Sequence, residues 1–120
     1  MLASVNKIEN ITKLEKSLWF DLGYVGGQDV LIRKNKFKIG EAVLLVKRGA
    51  IVPKIEEFSF LKSKNYVVGL FKDGDLVSNH IIAKLPPGEY KEGEDVSKKL
   101  GFKNSEKVSL LNRVISWLNL

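Results

Sequence analysis

The sequence predicts a mainly β protein, a small closed β-barrel with short helices that include an amphipathic one at the C-terminal end. Three observations carry that reading. Short apolar runs rich in Val, Ile and Leu recur along the chain, and such side chains suit a pleated, half-buried surface. Glycine-containing polar turns separate the runs. Sustained helical periodicity is confined to the end of the chain. The centre is residues 28–53, QDVLIRKNKFKIGEAVLLVKRGAIVP, where runs 30–33 and 42–47 are joined by the basic turn KNKFKIGE. These runs read as adjacent strands. Their bent linker tucks Phe37 and Ile39 inward and leaves Arg33, Lys34, Lys36, Lys38, Lys47, Arg48 and Lys54 outside.

Taken in order, Leu2, Val5 and Ile8 frame a first strand, ASVNKI, and Ile11 and Leu14 continue the apolar thread. Residues 19–24, WFDLGY, alternate apolar with small or polar side chains, a period-two signal. Gly26–Gly27 is a turn, so 19–24 and 28–33 form a hairpin. After strand 42–47, Pro53 ends regularity, and 55–61, IEEFSFL, is a helical turn or a covering loop. Asp73–Gly74 stands between the runs 65–72 and 75–82, the pattern of a type I′ hairpin with positive φ at both central residues. Residues 94–100 read as a short helix closed by Gly101. Val108, Leu111, Ile115 and Leu118 recur at helical spacing behind the N-cap residue Ser105. The barrel domain is thus assigned to 1–104, with a helix of 105–120 packed on it.

Composition bounds the function. A chain of 120 residues makes one domain with one core. A hydrophobic fraction of 44% and a charged fraction of 28% are ordinary for a soluble globular protein. There is no apolar run long enough to cross a bilayer and no charged leader before an apolar core, so a cytoplasmic protein without membrane contact is expected. With no cysteine, disulfides and thiolate metal sites are excluded. Twenty Lys and Arg against fourteen Asp and Glu give a formal charge of +6, which favours anionic partners, although such surfaces also serve solubility alone.

The serial order of features resembles a known family. Ala3–Ser4–Val5 is followed by Lys34, Phe37–Lys38, Gly40–Glu41 and Val43, then by Pro53, Phe60–Leu61, Gly74 and Ser78, and finally by Asp95–Val96 and Leu100–Gly101. Over residues 2–103 this resembles the N-terminal OB-like domain of the Deinococcus-type RNA ligases. The resemblance implies an OB-like barrel and a role in RNA end joining. In that family the domain precedes a nucleotidyltransferase domain opening with K-x-D-G, whose lysine takes AMP from ATP. Lys72–Asp73–Gly74 lacks the intervening residue and falls where a hairpin turn is expected. Where the family has S-Q-G-L-L, this chain has Ser78–Asn79–His80–Ile81–Ile82. The resemblance therefore implies binding without catalysis, and no cofactor.

No catalytic constellation emerges from the residues themselves. His80 is the single histidine, and Ser78, two residues away, is poorly placed for activation by it. One histidine without cysteine does not make a usual zinc site, so no metal site is expected. Gly23, Gly26 and Gly27 precede a strand, so the helix N-terminus of a phosphate loop is missing.

The basic and aromatic residues are the better signal. OB barrels bind single strands by a cationic groove and aromatic faces on which bases stack. Backbone contacts are assigned to Arg33, Lys34, Lys36, Lys38, Lys47 and Arg48, six basic residues in a span of sixteen. Stacking is assigned to Tyr24 and Tyr66, which carry a polar tip near turns, while Trp19, Phe37 and Phe71 read as core. The expected partner is RNA or single-stranded or nicked nucleic acid. Two other readings stay open. One is a separately encoded subunit beside a catalytic ligase partner. The other is an assembly or structural module whose positive charge is incidental. Separately, Trp117 and the apolar face of the C-terminal helix either cap the barrel or dock on another copy, giving a homo-oligomer, or on a partner chain.

Overall fold

The computed structural model describes residues 1–105 of the chain, so the expected C-terminal helix lies outside the described residues. Nine strands follow in order: β1 (Ala3–Thr12), β2 (Phe20–Val25), β3 (Gln28–Arg33), β4 (Ala42–Lys47), β5 (Ala50–Ile51), β6 (Phe71–Asp73), β7 (Leu76–Ser78), β8 (His80–Lys84) and β9 (Lys103–Asn104). A 3-10 helix, Glu56–Lys64, lies between β5 and β6. The five main strands pair antiparallel in the order β3-β2-β1-β4-β8. β3 and β8 then run alongside one another without a hydrogen-bonded ladder, so the barrel is nearly closed. This is the partly open five-stranded arrangement of the OB fold.

Period-two alternation divides the apolar side chains between two layers. Ile8, Val25, Val30, Ile32, Val43, Leu45 and Ile82 come from all five strands and fill the barrel interior. The other face of β1, β4 and β8 supplies Ala3, Val5, Leu44, Val46, Ile81 and Ala83 to a second cluster outside the barrel. Phe58 and Leu61 of the 3-10 helix cover that cluster, with Val52, Val68, Val96 and Phe102. The stretch IEEFSFL is thus both helical and covering.

The remaining local expectations are partly corrected. The hairpin of β2 and β3 has the expected Gly26–Gly27 turn, both glycines at positive φ. In place of a helix over residues 94–100, Asp95 bridges Ser4 and residues 97–101 form a turn. Gly101 still ends it as foreseen, at φ 82, with Phe102 N–H donating to the Ser97 carbonyl at 2.7 Å and Gly101 N–H to Lys98 at 3.2 Å. Ile39 is 61% exposed, whereas Phe37 packs against the interior cluster as expected. In the β6–β7 hairpin Asp73 pairs with Leu76, so the turn residues are Gly74 and Asp75, and of these only Gly74 has positive φ, +60°. The sequence placed the turn one residue early because Asp-Gly is the commoner signal.

A Cβ on Gly74 would meet nothing within 4 Å, so a side chain there is opposed by backbone conformation alone. Gly74→Val is expected to cost about 1–2 kcal/mol. Gly69→Val, at an equally open site without positive φ, should be near neutral. Equal unfolding midpoints in urea for the two variants would contradict this hairpin geometry.

Candidate nucleic-acid interface

On β2 the residues facing the interior are Asp21, Gly23 and Val25, so Phe20, Leu22 and Tyr24 face outward. Their cross-strand partners on β3 are Arg33, Leu31 and Asp29. This outer face therefore carries an aromatic residue at each end of β2, with Tyr24 41% exposed. Trp19, expected in the core, is 61% exposed. It stands one position before β2, beyond the end of the barrel, where there is no interior left to fill. Phe71, also expected in the core, is half-buried and meets Phe20 edge-on with centroids 4.9 Å apart.

The end of the barrel beneath Trp19 is closed by an ion pair. Lys34, assigned to the outer surface, turns inward, and its Nζ donates to Asp21 Oδ1 at 2.8 Å and to the Leu14 carbonyl at 2.9 Å. Leu14 N–H donates to the same carboxylate oxygen at 3.1 Å. Burial pushes the Asp21 pKa up. The hydrogen bonds from Lys34 and Leu14 and the charges of Lys34 and Lys13 outweigh it and hold the carboxyl below its ordinary value. The β1–β2 loop is also tied to the β6–β7 hairpin, because the Ser17 hydroxyl donates to Asp73 Oδ2. Lys72–Asp73–Gly74 is thereby the end of β6 and the start of its turn.

Where β3 and β8 fail to pair, a groove of about 630 Å³ opens. Leu31, Ile81 and Ala83 line it, with Phe20, Phe71 and Phe60. Arg33, Lys36 and Lys84 add positive charge. Lys84 is engaged, since its Nζ lies 2.6 Å from Glu41, 2.7 Å from the Lys36 carbonyl and 4.5 Å from the Phe37 ring centroid. Arg33 and Lys36 are exposed and make no ion pair among the described residues.

The other assigned residues are dispersed. Lys38 is exposed next to the groove's linker, its N–H donating to Glu41 Oε1 at 3.1 Å. Lys47 and Arg48 lie at the opposite end of β4 from Ala42, roughly 17 Å away at about 3.4 Å per residue. Lys47 pairs there with His80, whose pKa is lowered by burial and by the Lys47 charge. Tyr66 packs on the outer cluster, half-buried, with Lys54 Nζ 5.7 Å from its ring centroid. The Ser78 hydroxyl donates to the His80 carbonyl at 2.6 Å, so the two side chains form no nucleophile–base pair. Among the described residues no group of His, Asp and Glu comes together to hold a metal.

The sequence missed Phe20, Phe60 and Lys84. Phe20 was legible, since it shares the even-numbered face of β2 with Tyr24. Phe60 was not, because a 3-10 segment buries Phe58 and leaves Phe60 53% exposed.

No protein-family model and no curated protein matches the chain. Solved structures do share its fold. An RNA ligase variant of Naegleria gruberi with ATP and Mn superposes with a TM-score of 0.72 at 18% identity, over 86% of this chain and 34% of that one. A second variant, with AMP and Mn, gives a TM-score of 0.70 at 19% identity over the same shares. The chain thus spans about a third of the length of these proteins.

The Asp21–Lys34 pair gives a pH signature. A folded pKa below the unfolded one means that the pair stabilises the fold above about pH 4 and loses that contribution as pH falls through the folded value. Asp21→Asn should lower the unfolding free energy by about 1–3 kcal/mol near neutrality. The difference from wild type should shrink below about pH 4 in urea titrations, and a pH-independent gap would refute this role.

Proposed function

We propose that the barrel is a non-catalytic nucleic-acid-binding module serving RNA end joining. It engages RNA, or single-stranded or nicked nucleic acid, across the outer face of β2 and β3. One observation carries the reading. The outer face of β1, β4 and β8 is covered by the 3-10 helix and residues 96–102, while that of β2 and β3 keeps Phe20, Tyr24 and Arg33 beside an aromatic groove. In OB barrels the face of the second and third strands and the adjoining loops take up oligonucleotides. Aromatic rings stack bases there and cations follow the backbone.

The fold shared with the Naegleria RNA ligase structures and the motif order resembling the Deinococcus-type enzymes support the link to end joining. The chain spans about a third of the length of those structures, and on this reading a nucleotidyltransferase domain acts on the nucleic acid that this barrel holds. On this reading the chain alone, with labelled ATP and magnesium, forms no covalent adenylate. A labelled adduct lost in Lys72→Ala would make it an enzyme.

Binding is tested by fluorescence anisotropy on labelled RNA and DNA oligomers. Each phosphate contact contributes about −0.7 to the log–log salt slope on a single strand, so three contacts give about −2. Arg33→Glu with Lys36→Glu should flatten the slope and weaken all sequences alike, because phosphate contacts carry no sequence information. Lys47→Glu with Arg48→Glu, at the other end of β4, should leave it unchanged. No affinity for any oligomer at low salt would give first place to an assembly module whose charge is incidental.

A further inference from the structure

The groove between β3 and β8 is more selective in its make-up than a stacking surface requires. Its floor is apolar, Leu31, Ile81 and Ala83, and three phenylalanine rings line it, those of Phe20, Phe71 and Phe60. Phe20 and Phe71 already form an edge-on pair, and Phe60 leans on Phe58 with centroids 6.4 Å apart. Each ring thus has an aromatic neighbour at the groove's edge. The volume of about 630 Å³ falls within the roughly 300–1,000 Å³ of sites that enclose small ligands. It exceeds what a single side chain would fill. Polar groups are few and of definite kind. Arg33 and Lys36 offer positive charge that is unpaired among the described residues, while Glu57, half-buried, and Ser59 line the groove from the 3-10 helix.

Resting on the function proposed above, we infer that this groove takes one unstacked base of the bound strand, with the adjoining phosphate on Arg33 and Lys36. The flat, apolar, π-faced interior suits a nucleobase, and the unpaired cations complement the charge of its phosphate. Glu57 supplies only acceptor oxygens when ionised, so it selects for a base that presents an amino group. Cytosine, adenine and guanine each carry one; uracil has no amino group, and its single N–H donor, at N3, is flanked by two carbonyl oxygens that repel the carboxylate. The groove is therefore a one-nucleotide pocket that disfavours uracil.

The test uses hexanucleotides, short enough to limit sliding, in which each position in turn is made abasic. For the wild-type protein one position should be sensitive, base removal there costing about 5- to 100-fold in affinity, as for one stacked base. At that position uracil should bind more weakly than cytosine, and Glu57→Gln should remove the difference. Phe60→Ala, at a residue 53% exposed and so safe for folding, should bring the abasic penalty to within about twofold while leaving the salt slope unchanged. Photocrosslinking of a 5-iodocytidine at the sensitive position should mark the peptide carrying Phe60 or that carrying Phe71. Strand affinity without a sensitive position, or a penalty that survives Phe60→Ala, overturns the pocket and leaves the functional reading standing. No affinity for any strand overturns the functional reading, and the pocket with it.

Discussion

The barrel depends on the way β1 is shared between two neighbours. Residues 3–7 pair with β4, and from Ile8 onward the strand pairs with β2, with Glu9 inserted between the Ile8 and Asn10 pairings. A bulge of this kind bends its strand and increases the local twist. That bend turns a five-stranded ribbon back on itself until β3 reaches β8. Sharing leaves each half of β1 with a spare edge, and a bare run of backbone donors and acceptors is costly if buried and adhesive if exposed. Both are covered. Ile8 exchanges hydrogen bonds with the linker at Gly40 and Glu41, of 2.7 and 2.9 Å. At the other half, Val5 and Ala3 bond residues 93–96, and the Ser97 hydroxyl accepts the N–H groups of Leu2 and Ala3 at 3.1 Å each.

This accounts for what was legible in the sequence. The bounds of β3 and β4, the Gly26–Gly27 turn and the exterior helical cover were readable, because Val, Ile and Leu runs and paired glycines are local signals. The ten-residue length of β1 was not, since ENIT carries polar residues on its exposed face and reads as the end of a strand. Charge was misjudged for a similar reason. A lysine counts the same in the sequence whether it faces water or an aspartate. Lys34 closes the barrel end only because the hairpin register brings it beside Asp21. Lys47 and Arg48 are close to Arg33 in the chain, yet an intervening strand carries them to the other end of β4. Tyr66 was chosen for its polar tip, and its left-handed backbone, φ +60°, is part of the turn that ends the 3-10 helix.

The same geometry limits what a family resemblance can say. Among the residues that carried it, Gly40–Glu41 and Asp95–Val96 are those that cover the spare edges of β1. Gly40 adopts φ +87°, which favours glycine, and Val96 is fully buried. Leu100–Gly101 closes the turn that seats Phe102 in the outer cluster. These are roles in building the barrel, independent of what it binds. The motif order is thus a record of construction, and it fits the fold found in the Naegleria ligase structures at under a fifth identity.

Function has to be sought where construction imposes least. A hydrogen-bonded β3–β8 ladder would have removed both remaining sheet edges. Here the ladder is absent, and phenylalanines from β2, β6 and the 3-10 helix border the gap without filling it. Among the described residues this apolar border stands beside Arg33 and Lys36, which make no ion pair there, and the flat, anionic occupant proposed above would cover both. The covered half of the barrel needs no such partner. Among the described residues the two outer faces differ, one closed by the chain itself and one left open, and the proposed binding falls on the open one.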